Sequence, residues 1–218
     1  MTGTRIRLLR EDDWDGVVAL EERAYAASGL SEGREALRSR HRASPETCFV
    51  LEHAGGLGGY LLALPYPLFR CPDLGRSEAA DGCGDAGGRA GTDERGDGGR
   101  GSARPTNMHA HDLVISEGLR GRGLSHRMLR HLEHTARASG HRTVSLVAVR
   151  GSHVLWTALG YRARPEIELP ASYGDRAVYM AMPLDPAPAR PSQARDARSS
   201  LHHSTDPIPG PHPRAEVV

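Results

Sequence analysis

The chain has 218 residues and a formal net charge of +1. That length suits one domain with residues to spare, and so small a charge excludes a strong electrostatic pull toward nucleic acid or an anionic membrane. A hydrophobic share of 38% with 26 Gly and 15 Pro means that part of the chain is not core.

The start, Met1-Thr2-Gly3-Thr4-Arg5-Ile6-Arg7, has no apolar signal core, and no run of about 18 apolar residues follows. A cytoplasmic protein that does not engage membranes is therefore expected. Arg5 to Leu8 alternates as a first strand. Glu11-Asp12-Asp13 places acids at a helix start, and Trp14, Val17, Val18, Glu21 and Tyr25 continue at helical spacing. A second helix is predicted over Ser31 to His41. Thr47 to Glu52 and Gly58 to Leu64 form a hairpin around Ala54-Gly55-Gly56.

From about Pro72 to Pro105 the chain is mostly Gly, Asp, Arg, Ala and Ser. Such a stretch has too few apolar side chains to offset its ordering entropy, so it reads as an insertion within one domain over 1–184. Met108 to Ile115 is a strand, followed by a Gly-rich turn at 118–123 and a helix over Leu124 to Ser139. Leu124, Met128, Leu132 and Ala136 recur every four positions there, and Gly140 ends it. Thr143 to Val149 is a buried strand and Ser152 to Leu159 a short helix. Tyr161 to Leu169 and Ala177 to Met182 are the last strands, and 185–218 is a solvated Pro/His-rich tail.

The informative stretch is the turn from Glu117 to Ser125, between a strand and a helix. A helix start leaves backbone N–H groups without partners and carries partial positive charge. Glycines let a bound group approach the backbone closely. Together they suit a phosphate or pyrophosphate, and Arg120 and Arg122 add charge nearby. A Rossmann site is disfavoured because the three-glycine fingerprint is missing, and a P-loop is excluded because the chain has no Lys.

Arg120-Gly121-Arg122-Gly123-Leu124-Ser125 resembles the acyl-CoA signature of the GNAT acetyltransferases, with Ser125 where Gly or Ala is usual. Ser152 to Tyr161, ending Leu159-Gly160-Tyr161, looks like the family's late helix and its Gly-aromatic pair. The resemblance implies an α/β fold. Its central sheet is mixed and mostly antiparallel, with six to seven strands and about four helices, and it splays between strands four and five. Acetyl-CoA would be the co-substrate, its pantetheine arm beside Leu113, Val114 and Ile115, with Val147, Ala148 and Val149 opposite. Its pyrophosphate would lie on Arg120, Gly121, Arg122, Gly123, Leu124 and Ser125. The implied reaction is acetyl transfer to a primary amine, of a small molecule, by direct attack. A protein N-acetyltransferase and a non-catalytic CoA-binding module are the alternatives. A homodimer is compatible with the family.

The base candidates lie on the fourth strand: His111, His109 and Asp112. Alternation puts the two histidines on one face and Asp112 on the other. Each also has a purely structural account. Many relatives have a Tyr four residues before the Gly of the late helix, acting as general acid on the CoA sulfur. Trp156 stands there, and Tyr161 and Tyr173 are the substitutes to consider. Glu21, Glu22, Glu32 and Glu35 read as a solvated helix face, with attraction of a cationic amine as the functional alternative. Cys48, Cys71 and Cys83 have no zinc spacing, so no metal is expected.

Overall fold

Strand β3 (Gly56–Pro65) has an almost unbroken apolar sequence because both of its faces are covered. The computed structural model describes residues 3–74 and 105–184. The expected insertion, apart from its first three residues and its last, lies outside the described residues, as does the tail.

Seven strands form one sheet in the order β1-β2-β3-β4-β5-β7-β6. Besides β3 they are β1 (Thr4–Leu8), β2 (Phe49–His53), β4 (Asn107–Ile115), β5 (Thr143–Ala148), β6 (Arg162–Ala163) and β7 (Val178–Pro183). Every neighbouring pair is antiparallel except β4 and β5. The four helices are α1 (Trp14–Tyr25), α2 (Arg34–Ala43), α3 (Leu124–Ala138) and α4 (His153–Ala158).

Two cores lie on opposite faces of the sheet. On one, Met128, Leu129, Leu132 and Ala136 of α3 pack against Leu61, Met108, Val144 and Leu146, with Trp156 of α4 beside them. On the other, Trp14, Val17 and Leu20 of α1 and Leu37 of α2 pack against Val50, Tyr60, Leu62 and Val114. Each fully buried Leu there contributes roughly 1.5–3 kcal/mol.

Three elements differ from the sequence expectation. Helix α2 starts at Arg34 rather than Ser31, because Glu21 draws the preceding segment into a loop. Its carboxylate accepts the Ser31 hydroxyl and the Glu32 N–H, each at 2.7 Å. Strand β6 spans Arg162–Ala163 rather than running to Leu169, since Pro165 and Pro170 interrupt the ladder. The first turn of the stretch expected to be solvated is held in place. The Asp73 carbonyl accepts from Arg40 at 2.8 Å, and the Pro72 carbonyl from the Tyr173 hydroxyl at 2.7 Å.

Two irregularities in β4 shape the site. The parallel ladder with β5 ends at Ala110 opposite Leu146, although β4 continues to Ile115. Beyond that point the two strands part, and β4 keeps a free edge toward β5. In the ladder with β3, Leu62 faces Asp112 while Ala63 faces Ala110, so His111 is the extra residue of a β-bulge. A bulge bends its strand, and this one sits where the parallel ladder stops. Gly59 allows β3 to follow closely, since a Cβ there would meet the Val114 carbonyl at 2.6 Å.

Candidate active site

A cavity of about 890 Å³ opens where β4 and β5 part. Leu113, Val114 and Ile115 line one wall and Leu146, Val147 and Val149 the other. At one end lies the start of α3, with Arg120, Gly121, Gly123, Leu124, Ser125 and His126 in the wall. At the other end are His111, Asp112, Glu32, Tyr25 and Tyr173.

The α3 end is built largely from backbone. Gly121 and Gly123 have φ of +73° and +70°, a region costly for residues with a Cβ. They turn the chain sharply into the helix, whose first N–H groups have no carbonyl one turn back. The Arg127 N–H is the first to close a turn, onto the Gly123 carbonyl at 3.0 Å. The Arg120 guanidinium folds back onto the Ile115 carbonyl at 3.2 Å. Of the six residues expected to hold the pyrophosphate, Arg122 alone does not line the cavity. The turn, the free edge of β4 and the volume between the strands fit a long, anionic-headed thioester such as acetyl-CoA.

The other end is built from side chains. His111 Nε2 lies 2.5 Å from Glu32 Oε1, and Glu32 Oε2 accepts from Arg40 Nη2 at 3.0 Å. The side chains of His111 and Arg40 are 0% exposed and that of Glu32 5%. Burial pushes the Glu32 carboxyl up, but the charges and hydrogen bonds of His111 and Arg40 outweigh it and hold it below the usual range. Removing one partner from such a buried pair costs about 3–5 kcal/mol, because the other charge is left stranded.

Asp112 joins this face, contrary to simple alternation. The bulge at His111 resets the pleat, so both side chains point toward α1 and α2. Asp112 accepts from the hydroxyls of Tyr25, at 2.7 Å, and Tyr60. Burial pushes its carboxyl up to about 6, and the two phenol bonds pull against that rise. Burial and the Asp112 charge push both phenols well above their ordinary value.

His109 does not reach the cavity. Its Nδ1 lies 3.0 Å from Ser145 Oγ, its ring stacks on Tyr179, and burial holds it well below the ordinary imidazole value. Trp156 lines the cavity, its indole donating to Ser152 Oγ at 3.2 Å and packing edge-on against Tyr161. Tyr161 is buried in the core rather than facing the cavity, and the Tyr173 hydroxyl is engaged by Pro72.

Glu21 and Glu32 are not a solvated face: Glu21 is 1% exposed and pins the loop that carries Glu32. Arg40 was not singled out from the sequence. A signal existed, since it falls on the buried stripe of α2 with Ala36 and Leu37. A cation at such a position requires a buried partner. No group of three or more His, Cys, Asp or Glu among the described residues is arranged to hold a metal.

By sequence, no curated protein is a significant match. Solved structures are similar in fold. Ard1 from Thermoplasma volcanium is 15% identical, with a TM-score of 0.56 over 83% of this chain and 97% of that one. A Brucella melitensis GNAT family acetyltransferase in complex with acetyl-CoA is 15% identical, with a TM-score of 0.53 over 87% and 94%. The GphF GNAT-like decarboxylase in complex with isobutyryl-CoA is 18% identical, with a TM-score of 0.59 over 83% and 100%. The sequence profile described as the Acetyltransferase (GNAT) family matches residues 14–161, which run from the first residue of α1 to the Gly-aromatic pair after α4. The chain belongs to the GNAT acetyltransferase family and is an acyltransferase.

Proposed function

We propose that the protein transfers an acetyl group from acetyl-CoA to the primary amine of a small molecule. The observation that carries this reading is the single cavity joining the α3 turn, through the parted strands, to His111. The turn would hold the pyrophosphate. The free edge of β4 at Leu113, Val114 and Ile115 would pair with the amides of the pantetheine arm. Backbone N–H groups on that edge would polarise the thioester carbonyl.

An alkyl amine has a pKa near 10, so only about 0.1% is neutral at pH 7. A base must therefore take its proton, and our candidate is His111, directly or through an ordered water. Asp112 is a poorer base because both of its oxygens already accept phenol protons. Attack would be direct, a reading supported by a lining that has no cysteine among the described residues to form an acyl-enzyme. Leu30 and Leu74 lie near Glu32 and Tyr173, giving the acceptor end apolar flanks suited to a small amine.

Trp156 favours a second reading, a CoA-binding protein without amine turnover, because it lines the cavity at the position where many relatives carry a Tyr as general acid. Initial rates measured against both substrates decide. Acetylation with intersecting double-reciprocal lines supports the enzyme reading, and parallel lines rule out direct attack. Tight acetyl-CoA binding with no turnover across a panel of small amines would favour the second.

A further inference from the structure

We propose that the groove between β1 and α3 is a second ligand site, separate from the cavity between β4 and β5, and that it takes a small soluble polyphosphate. The proposal does not depend on the acyl-transfer reading.

The groove has a volume of about 410 Å³ and shares no lining residue with the larger cavity. Thr4, Arg5 and Ile6 of β1 form one wall, and Arg127, Arg130, His131 and His134 of α3 form the other. The pattern of α3 sets the second wall. Its core stripe is Met128, Leu129, Leu132 and Ala136, which leaves positions 127, 130, 131 and 134 together on an outward face at i, i+3, i+4 and i+7. Ile6 packs against the same core and draws β1 alongside the helix.

Charge in the groove is one-sided. No acid lines it. Strand β1 has none, and the one acid of α3, Glu133, is engaged by Arg137 at 3.7 Å. Arg127 donates to the neutral Thr4 hydroxyl at 2.5 Å, and among the described residues neither Arg127 nor Arg130 has an ion-pair partner. Like charges three or four positions apart on a helix repel one another. His131 registers the crowding: burial, and then the charges of His134 and Arg127, hold its imidazole below the ordinary value. Its ring packs edge-on against Phe49, with centroids 4.6 Å apart, which keeps it at the groove. A bound anion removes that repulsion.

The ligand class follows from the donors and the length. Guanidinium forks match phosphate oxygens in pairs, and the two imidazoles add ring donors. From position 127 to position 134 the helix rises about 10 Å, room for a short run of linked phosphates rather than a nucleic-acid backbone. The net charge of +1 agrees, since a nucleic-acid surface needs a broader excess of cations.

Calorimetric titration of tripolyphosphate into the full chain saturated with CoA tests the groove apart from the α3 start. A Kd below about 1 mM at low salt is expected, weakened at least about tenfold by Arg127→Gln/Arg130→Gln. Both side chains are exposed, so the variant should fold, and its acetyl-CoA affinity is expected to match the wild type. No binding by the wild type, or equal binding by the variant, overturns the proposal. Loss of acetyl-CoA by the variant would assign the arginines to the cofactor site and overturns it too. A single-stranded oligonucleotide is the last arm. Affinity at least about tenfold above that of tripolyphosphate, lost in the same variant, would make the groove a nucleic-acid surface and overturn the polyphosphate assignment. Failure of the wild type to bind acetyl-CoA would sink the cofactor reading alone, because the comparison of wild type with variant still tests the groove.

Discussion

The two ends of the cavity are made of different material. At the α3 end two glycines with positive φ lead into a helix start whose first backbone N–H groups have no carbonyl one turn back. At the His111 end there are side chains from four segments, β4, α1, α2 and the loop before α2, each holding another in place. A backbone site tolerates loss of individual side chains and is broken by bulk or charge placed upon it. A site of interlocked side chains fails when any one is removed.

That contrast sets the size of the expected effects. His111→Gln is expected to lower kcat by about 10²–10⁴-fold while leaving acetyl-CoA affinity unchanged, which steady-state kinetics and calorimetry would show together. Arg40→Met strands the Glu32 carboxylate and is expected to destabilise the fold by about 3–5 kcal/mol in urea unfolding. Arg120→Ala, at the other end, removes one charge from a site that keeps its N–H groups. Its expected cost is a loss of about three- to tenfold in acetyl-CoA affinity, or about 1 kcal/mol, with little change in stability. Equal stability losses in the Arg40 and Arg120 variants would erase the distinction between the two ends.

A smaller effect concerns Asp112. Its carboxyl is raised to about 6 in the folded protein, against about 3.9 when unfolded. The folded state therefore binds this proton more tightly, and the group's contribution to stability is lost as pH rises from about 4 through about 6. Asp112→Asn removes that dependence. The difference in unfolding free energy should shift in the variant's favour by on the order of 2 kcal/mol between pH 4 and pH 7. A difference that stays constant with pH would mean that Asp112 titrates normally.

The same contrast explains what the sequence made legible. The α3 turn is contiguous, so six adjacent residues carried its whole signal. The strands and the longer helices were legible from periodicity, because each has one apolar stripe or an apolar run, whereas their arrangement in one mixed sheet was implied by the family resemblance. The acceptor end was legible only as single residues. His111 and Asp112 stood out as titratable groups on a strand, but the bulge that brings them to one face leaves no mark in their alternation. Glu32 looked like one acid among four on a solvated surface until Glu21, Arg40 and, from a distant part of the chain, His111 enclosed it. Arg40 itself was visible only as a charge on the wrong stripe of α2.

The central claim is that the α3 start binds the CoA pyrophosphate, and calorimetry of acetyl-CoA with wild type and Ser125→Glu tests it most directly. Ser125 lines the cavity in the first turn of α3, where a carboxylate suits the helix dipole, so the variant should fold as well as the wild type. The same carboxylate would occupy the place of the pyrophosphate. The account predicts micromolar binding by the wild type and at least about tenfold weaker binding by the variant. Equal binding by both proteins, or none by the wild type, would contradict it.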